Sequence, residues 1–290
     1  MKPTVVFQTD FGAGGGGVLA GVVKSVDYEV PVYDFTHEIP AYDIRDAAYQ
    51  LSTVVAVWPA GTVFVSVVDP GVGTSRRSCV ALLEGGSYVV TPDNGTLSMV
   101  IDQVVAVRQI DERENRIPGS ENVHIFNGRD VYAYTAARLA SGVIDFEGVG
   151  PEYPVDQIVT MSLTNVEPQL GEGWAEGGIY NFDMAYGTAR INVRNKDFQE
   201  VAGFRYGDHF HVVITGGKRV IFEGTGIYER TFGFADESEA FLCGDIQPGD
   251  AQMLRFNALD NFVLRFAPWL ATDASVAVDY VVRLERLQEE

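Results

Sequence analysis

The chain has 290 residues, 46% hydrophobic and 21% charged, which supplies packed cores and excludes wholesale disorder. Its 21 Lys and Arg face 40 Asp and Glu, a formal charge of −19. That balance lacks the basic footprint that displaces counterions from phosphates, so it argues against a nucleic-acid partner and against an anionic membrane surface.

At about 150 residues per domain, the length predicts two domains. The two cysteines, Cys79 and Cys243, lie far apart, one in an apolar run and one beside Leu242. They read as small buried hydrophobes, with no disulfide framework and no metal-ligand spacing. No run of 18 apolar residues occurs, and Met1-Lys2-Pro3 leads straight into a strand-like stretch. A cytoplasmic protein without signal peptide or membrane span is the expectation.

In chain order, residues 4–8 form a short apolar strand ending at Thr9-Asp10-Phe11-Gly12, followed by the glycine cluster 14–17. Residues 18–26 read as a helix, 32–36 as a second strand, and 42–58 as apolar positions at helical spacing. The β-branched run 61–68 (GTVFVSVV) is a strand that ends at Asp69-Pro70-Gly71. Residues 79–83 and 88–91 are further strands, and 130–139 a helix. Strands alternating with helices predict a mainly parallel sheet with helices on its faces. After Pro151, Pro154 and Pro168 the pattern turns to short β-rich runs at 178–182, 189–193, 209–214, 220–224, 262–266 and 275–284. Turn signals about every ten residues there predict a small antiparallel β domain, barrel or sandwich. The expected division is an α/β domain over 1–160 and a smaller, barrel-like antiparallel β domain over 170–290.

Polar segments gather at the strand ends, where ligands bind in open α/β sheets. They are Thr9-Asp10-Phe11-Gly12, Asp69-Pro70-Gly71-Val72-Gly73-Thr74 with Arg76 and Arg77, Thr91-Pro92-Asp93-Asn94-Gly95, and Phe126-Asn127-Gly128-Arg129-Asp130 opening a helix. Each alone reads as a turn; four in one half point to a site. The glycine cluster lacks the Lys-Ser/Thr of a phosphate loop and the acidic residue of a dinucleotide fingerprint. His209-Phe210-His211 places two rings on one strand face without a third ligand, and reads as a surface pair.

These stretches together resemble the S-adenosyl-L-methionine (SAM) hydroxide adenosyltransferase family, the SAM hydrolases related to the fluorinase and chlorinase. The resemblance rests on TDFG (9–12), YDFTHEIPAYDI (33–44), WPAGTVFVSVVDPGVGTSRR (58–77), TPDNGTLS (91–98) and FNGRDVYAYTAARLASG (126–142). It continues more weakly through DMAYGTARI (183–191), FAD (234–236) and MLRFNAL (253–259). It implies an N-terminal α/β domain, a C-terminal β-barrel-like domain, and a homotrimer whose active sites lie at subunit interfaces. It also implies hydrolysis of SAM to adenosine and L-methionine by water attack at the ribose C5′. A sulfonium is already an activated leaving group, so neither cofactor nor metal is called for, and the task is to align and activate water.

The family uses an Asp–Arg–His set, and Asp69 and Arg76 match its first two members. A carboxylate beside a guanidinium keeps its charge and orients water. The halide-using relatives do not keep this Asp, which favours hydrolysis. Where the family hydrolases read F-H-G-R-D, Asn127 stands in place of the histidine, and an amide does not titrate near neutrality. If the histidine relays a proton, Asn127→His raises turnover at least about tenfold and adds a pH dependence near about 6–7. By the same resemblance Asp10 holds the ribose hydroxyls, Tyr42 stands near the ribose, Phe126 walls the C5′ region, and Phe11 and Gly128 are substrate contacts. Asn94 is a further substrate contact, Phe234 packs on adenine, and Thr188 replaces an Asn facing adenine. At the methionine end an acidic residue falls in the glycine stretch, and Ala258-Leu259 replaces a Ser-Arg pair. These departures keep open an alternative, a catalytically impaired or non-catalytic trimeric binder of adenosine or SAM.

Overall fold

The computed structural model describes residues 2–162, 164–183, 187–229, 240–243, 251–255 and 279–288. The chain divides into two units, Met1–Met161 and Ser162–Glu290.

The first unit contains strands β1 (Val5–Thr9), β2 (Val32–Thr36), β3 (Val63–Val67), β4 (Ser78–Leu83), β5 (Tyr88–Pro92), β6 (Val104–Gln109) and β7 (Glu152–Tyr153). Its helices are α1 (Gly15–Val26), α2 (Ile44–Val55) and α3 (Tyr134–Ser141). The strands form one sheet in the order β2-β1-β3-β5-β4-β6-β7. The first four are parallel, and β4, β6 and β7 join antiparallel. Every residue of β1 and β3 is buried, as a parallel sheet covered on both faces requires. Period-two alternation assigns the faces. Val5, Phe7, Val63 and Val65 pack with Leu19 and Val23 of α1 and Ala136 and Ala137 of α3. Val6 and Phe64 pack with Leu51 and Val54 of α2 on the other face.

Two helix starts differ from the sequence expectation. Helix α1 begins at Gly15, so the glycines form its first turn instead of a loop. A Cβ on Gly15 would stand 2.6 Å from Phe11 Cβ, and one on Gly16 2.4 Å from Asp34 Oδ2. Gly15 and Gly16 stand where two neighbouring segments leave no room for a side chain. Helix α2 is shorter than 42–58. Asp43 caps it, its Oδ1 accepting from the Asp46 amide at 3.0 Å. Strand β6 was not anticipated. It buries Val104 and Val107 and exposes Val105, and its pairing with β4 shifts register between Leu82 and Leu83.

The second unit contains β8 (Gln169–Gly171), β9 (Trp174–Asp183), β10 (Thr188–Arg194), β11 (His209–Gly216), β12 (Arg219–Glu229), β13 (Ala240–Cys243), β14 (Ala251–Arg255) and β15 (Tyr280–Arg286), with the short helix α4 (Asn195–Glu200). Its sheet runs β10-β14-β13-β12-β11-β15-β9-β8, and β10 also pairs with β9. All these pairings are antiparallel except β12 with β13. Alternate residues Ala189, Ile191 and Val193 of β10 and Phe210, Val212 and Ile214 of β11 face a core with Phe198, Phe204 and Tyr228. His209 and His211 flank buried Phe210, and His211 Nε2 lies 3.2 Å from Glu223 Oε1 across the β11–β12 hairpin. The expected class, an α/β domain followed by an antiparallel β domain, is the one found. The expected strand 262–266 and residues 275–278 lie outside the described residues. Among the described residues, no helix is long and apolar enough to cross a membrane.

Candidate active site

Strand β1 is followed by α1 and β2 on one side of it, and the chain then returns through α2 to place β3 on its other side. The strand order therefore reverses between β1 and β3, and the crevice beyond their carboxyl ends is where such sheets bind ligands. Asp10 follows β1 and Asp69 follows β3.

The β1 end is stitched to the segment after β2. The Phe11 amide donates to Thr9 Oγ1 at 3.1 Å, Thr9 Oγ1 meets His37 Nδ1 at 2.8 Å, and the Gly12 amide donates to the His37 carbonyl at 2.7 Å. Asp10 Oδ2 accepts from the Tyr42 amide at 3.0 Å. Tyr42 has φ +68° and is 66% exposed. Holding a bulky side chain in this left-handed region costs on the order of 1 kcal/mol, and such strain concentrates at functional sites.

Asp69 and Arg76 form a two-pronged pair. Arg76 Nε donates to Asp69 Oδ1 at 2.8 Å, and Nη2 donates to Oδ2. The loop between them is closed by local turns, with Thr74 Oγ1 donating to the Gly71 carbonyl at 2.7 Å and Gly73 at φ +78°. Both side chains are largely buried. Burial alone would lower the Arg76 pKa, but the Asp69 hydrogen bond and the nearby Tyr132, Asp69 and Glu112 raise it overall. Burial also pushes the Tyr132 phenol well above its ordinary range, so it stays neutral. Cys79 is free and buried, and burial first of all pushes its thiol up to about 12, which makes it an inert core residue.

From Arg76 a hydrogen-bonded chain runs to Asn127. Arg76 Nη1 donates to Ser78 Oγ at 2.9 Å, and Ser78 Oγ donates to Glu112 Oε1 at 2.8 Å. Because the Ser78 proton is used, Tyr132 OH is the donor in its 3.1 Å contact with Ser78 Oγ. Glu112 Oε2 accepts from Arg116 Nη2 at 2.6 Å, and the same nitrogen donates to Asn127 Oδ1 at 2.9 Å. Beside this chain lies a cavity of about 490 Å³ lined in part by Arg76, Ser78, Glu112, Arg116 and His124. Sequence reasoning missed Ser78, Glu112 and Arg116. The one signal was the Glu-x-x-x-Arg spacing at 112–116, which falls in a turn instead of a helix.

The remaining candidates divide. Phe11 packs on Gly128, where a Cβ would stand 2.5 Å from Phe11 Cζ and 3.5 Å from Val67 Cγ1, so the ends of β1, β3 and the 126–130 segment converge. Phe126 is half exposed and lies under the Arg129 guanidinium, 5.0 Å from ring centre to Cζ. Asn94 Nδ2 donates to the Val68 carbonyl at 2.9 Å, and its Oδ1 accepts from Thr96 Oγ1 at 2.9 Å, so this side chain tethers the residue before Asp69. Thr188 is buried at the start of β10 in the second unit. Phe234 and Ala258-Leu259 lie outside the described residues.

A buried carboxylate–guanidinium pair and a second carboxylate thus stand at the switch point of an α/β sheet, the position where such sheets bind ligands. Residues 5–150 match the SAM hydroxide adenosyltransferase N-terminal domain. The chain is 37% identical over 248 residues to an (R)-S-adenosyl-L-methionine hydrolase of Thermus thermophilus, covering 82% of this chain and 86% of that one. It is 24% identical over 239 residues to a fluorinase of an Actinoplanes species, covering 74% and 79%. The fold is similar to the crystal structure of an uncharacterized conserved protein from Thermotoga maritima, with TM-score 0.77, 26% identity, and coverage of 98% of this chain and 100% of that one. This chain belongs to the SAM hydroxide adenosyltransferase family.

Proposed function

We propose that this chain hydrolyses S-adenosyl-L-methionine to adenosine and L-methionine. The observation that carries the reading is the two-pronged Asp69–Arg76 pair at the carboxyl end of β3, in a chain more similar to the hydrolase than to the fluorinase. Water attacks the ribose C5′ as the C5′–S bond breaks, and the electron pair leaves with methionine sulfur. The positive charge on sulfur makes acid assistance unnecessary, so catalysis reduces to alignment and to activating water. Asp69 orients the water and takes its proton, and Arg76 steadies the developing hydroxide. Asn127 completes the catalytic set as a hydrogen-bonding group. Asp10 accepts from the ribose hydroxyls, and Tyr42, Phe11, Phe126 and Gly128 shape the ribose and C5′ walls. Asn94, Thr188 and Phe234 complete the substrate contacts, the last two toward adenine.

The same reading divides the chain into a 1–160 α/β domain and a 170–290 β domain, assembles it as a cytoplasmic homotrimer, and places the sites at subunit interfaces. The exposure of Phe11, Tyr42 and Phe126 at one end of the sheet supports burial by another chain. Light scattering is expected to give three subunits, and a fully active monomer contradicts the interfacial site.

Asn127, which cannot titrate, favours a second reading as a SAM or adenosine binder. Incubation with SAM followed by chromatography, alongside calorimetry with adenosine, separates the two. Release of equimolar adenosine and methionine supports the hydrolase. Binding without turnover makes the chain a binder.

A further inference from the structure

We propose that Arg116, neutralised by Glu112, is a positioning residue that replaces a titrating imidazole by a fixed hydrogen-bond donor acting on Asn127. The inference rests on the hydrolytic reading above.

A guanidinium has five donors and no acceptor, so whatever stands at position 127 must accept from it. Asn127 does so through Oδ1 at 2.9 Å. This fixes the side chain's orientation and leaves Nδ2, which makes no hydrogen bond among the described residues, as the donor available to the site. Both hydrogens of Arg116 Nη2 are used, one on Asn127 Oδ1 and one on Glu112 Oε2, while Nη1 donates to the Val123 carbonyl at 3.2 Å. The Arg116 side chain is 4% exposed, and a cation that deep needs its paired carboxylate. Glu112 meets that need and, through Ser78, ties the same device to Arg76 and hence to Asp69. The two arginines are thus held on one carboxylate–hydroxyl bridge, and a shift at Arg116 is felt both at Asn127 and at the Asp69–Arg76 pair.

A guanidinium serves this device as a fixed hydrogen-bond donor and not as a carrier of the water's proton. The other charged or titratable groups around it are Asp111 and Arg113 beside Glu112, Glu121 and His124 of the following segment, Arg129 and Asp130 after Asn127, and Tyr132. His124 is the one imidazole lining the cavity, so it is the group whose titration must be told apart from the Arg116 device.

The test measures kcat and KM for SAM from about pH 5 to 9, a range that brackets the imidazole titration. The proteins are wild type, Arg116→Met, Arg116→Lys, Glu112→Gln and His124→Asn, with adenosine affinity measured by calorimetry. Wild-type kcat is expected to be flat across about pH 6–8, around the imidazole range. Arg116→Met should lower kcat about 100-fold, the scale of a small misplacement of reacting groups, with KM within about threefold. Arg116→Lys, which keeps the charge but not the fork, should recover part of the loss. Glu112→Gln should cost about tenfold with the same split. A merely structural role would lower the folded fraction without changing kcat per folded site. An unchanged kcat in Arg116→Met overturns the proposal. So does a wild-type rate limb near about pH 6–7 that His124→Asn removes, since His124 would then carry the proton. If wild type itself releases no adenosine, the hydrolytic reading fails and the role of Arg116 falls with it. Turnover in wild type together with an indifferent Arg116 overturns this inference alone.

Discussion

Asp69→Ala should abolish adenosine formation from SAM while leaving adenosine binding nearly intact. The loss expected for removing a general base is about 10²–10⁴-fold, or about 3–5 kcal/mol of barrier. Alanine also leaves the Arg76 guanidinium, itself only 12% exposed on its side chain, without its partner. Breaking a buried pair costs on the order of 3 kcal/mol of stability. The alanine protein is therefore paired with Asp69→Asn, which keeps the shape and one acceptor oxygen for Arg76 but cannot take a proton from water. Both should lose turnover by the same order, and both should melt below wild type because each removes the counter-charge of Arg76, the Asn form less so because it keeps one acceptor oxygen. Chromatography for adenosine and methionine, calorimetry with adenosine and a thermal melt read the three quantities separately. Undiminished turnover in either protein would remove Asp69 from the mechanism.

How much of this was legible in the sequence depended on the range of the interactions. Strands β1, β2 and β3 are short β-branched or aromatic runs whose period and punctuation are local, and their placement followed from the residues themselves. The pairing of Asp69 with Arg76 is also local, since seven residues and two turns bring the guanidinium back. The sequence places the helix start at residue 18, and the reason Gly15 and Gly16 belong to its first turn lies elsewhere in the chain. Only the close approach of Phe11, Asp34 and His37 shows why Gly15 and Gly16 lack side chains. The same holds for the bridge to Asn127. Ser78 lies on β4, Glu112 and Arg116 in a turn after β6, and Asn127 at the head of the segment leading to α3. No periodicity links these positions, and strand β6, which sets the turn in place, was itself unforeseen. Tyr42 was legible as an aromatic near the site through the family resemblance. Its left-handed backbone and its hydrogen bond to Asp10 were not, because nothing local marks a tyrosine for that conformation.

The hydrogen bond from Arg116 changes what Asn127→His should do. On the sequence alone, restoring the family's imidazole raises turnover and adds a rate limb near about pH 6–7, because a histidine titrates there. With Arg116 Nη2 in place, an imidazole at 127 must accept through one ring nitrogen, which holds it neutral and moves its titration below the ordinary range. The neutral ring then offers its other N–H much as Asn127 offers Nδ2, and it does not pick up the proton of the attacking water near neutrality. Asn127→His in the wild-type background is therefore expected to change kcat by less than about threefold across pH 6–8, with no limb in the imidazole range. In an Arg116→Met background the cation is gone, and the same substitution should gain at least about tenfold over Arg116→Met alone. That double variant should also show the limb at about pH 6–7, with rate rising as the imidazole loses its proton and becomes a base. Adenosine affinity should be alike in all four proteins of this cycle, since neither residue is assigned to adenine or ribose. The coupling between the two positions is read as the departure from additivity in log kcat. If the single Asn127→His variant gains tenfold and acquires the limb by itself, Arg116 does not govern the protonation of residue 127. If neither background shows a gain, an imidazole has no part in proton transfer in this chain.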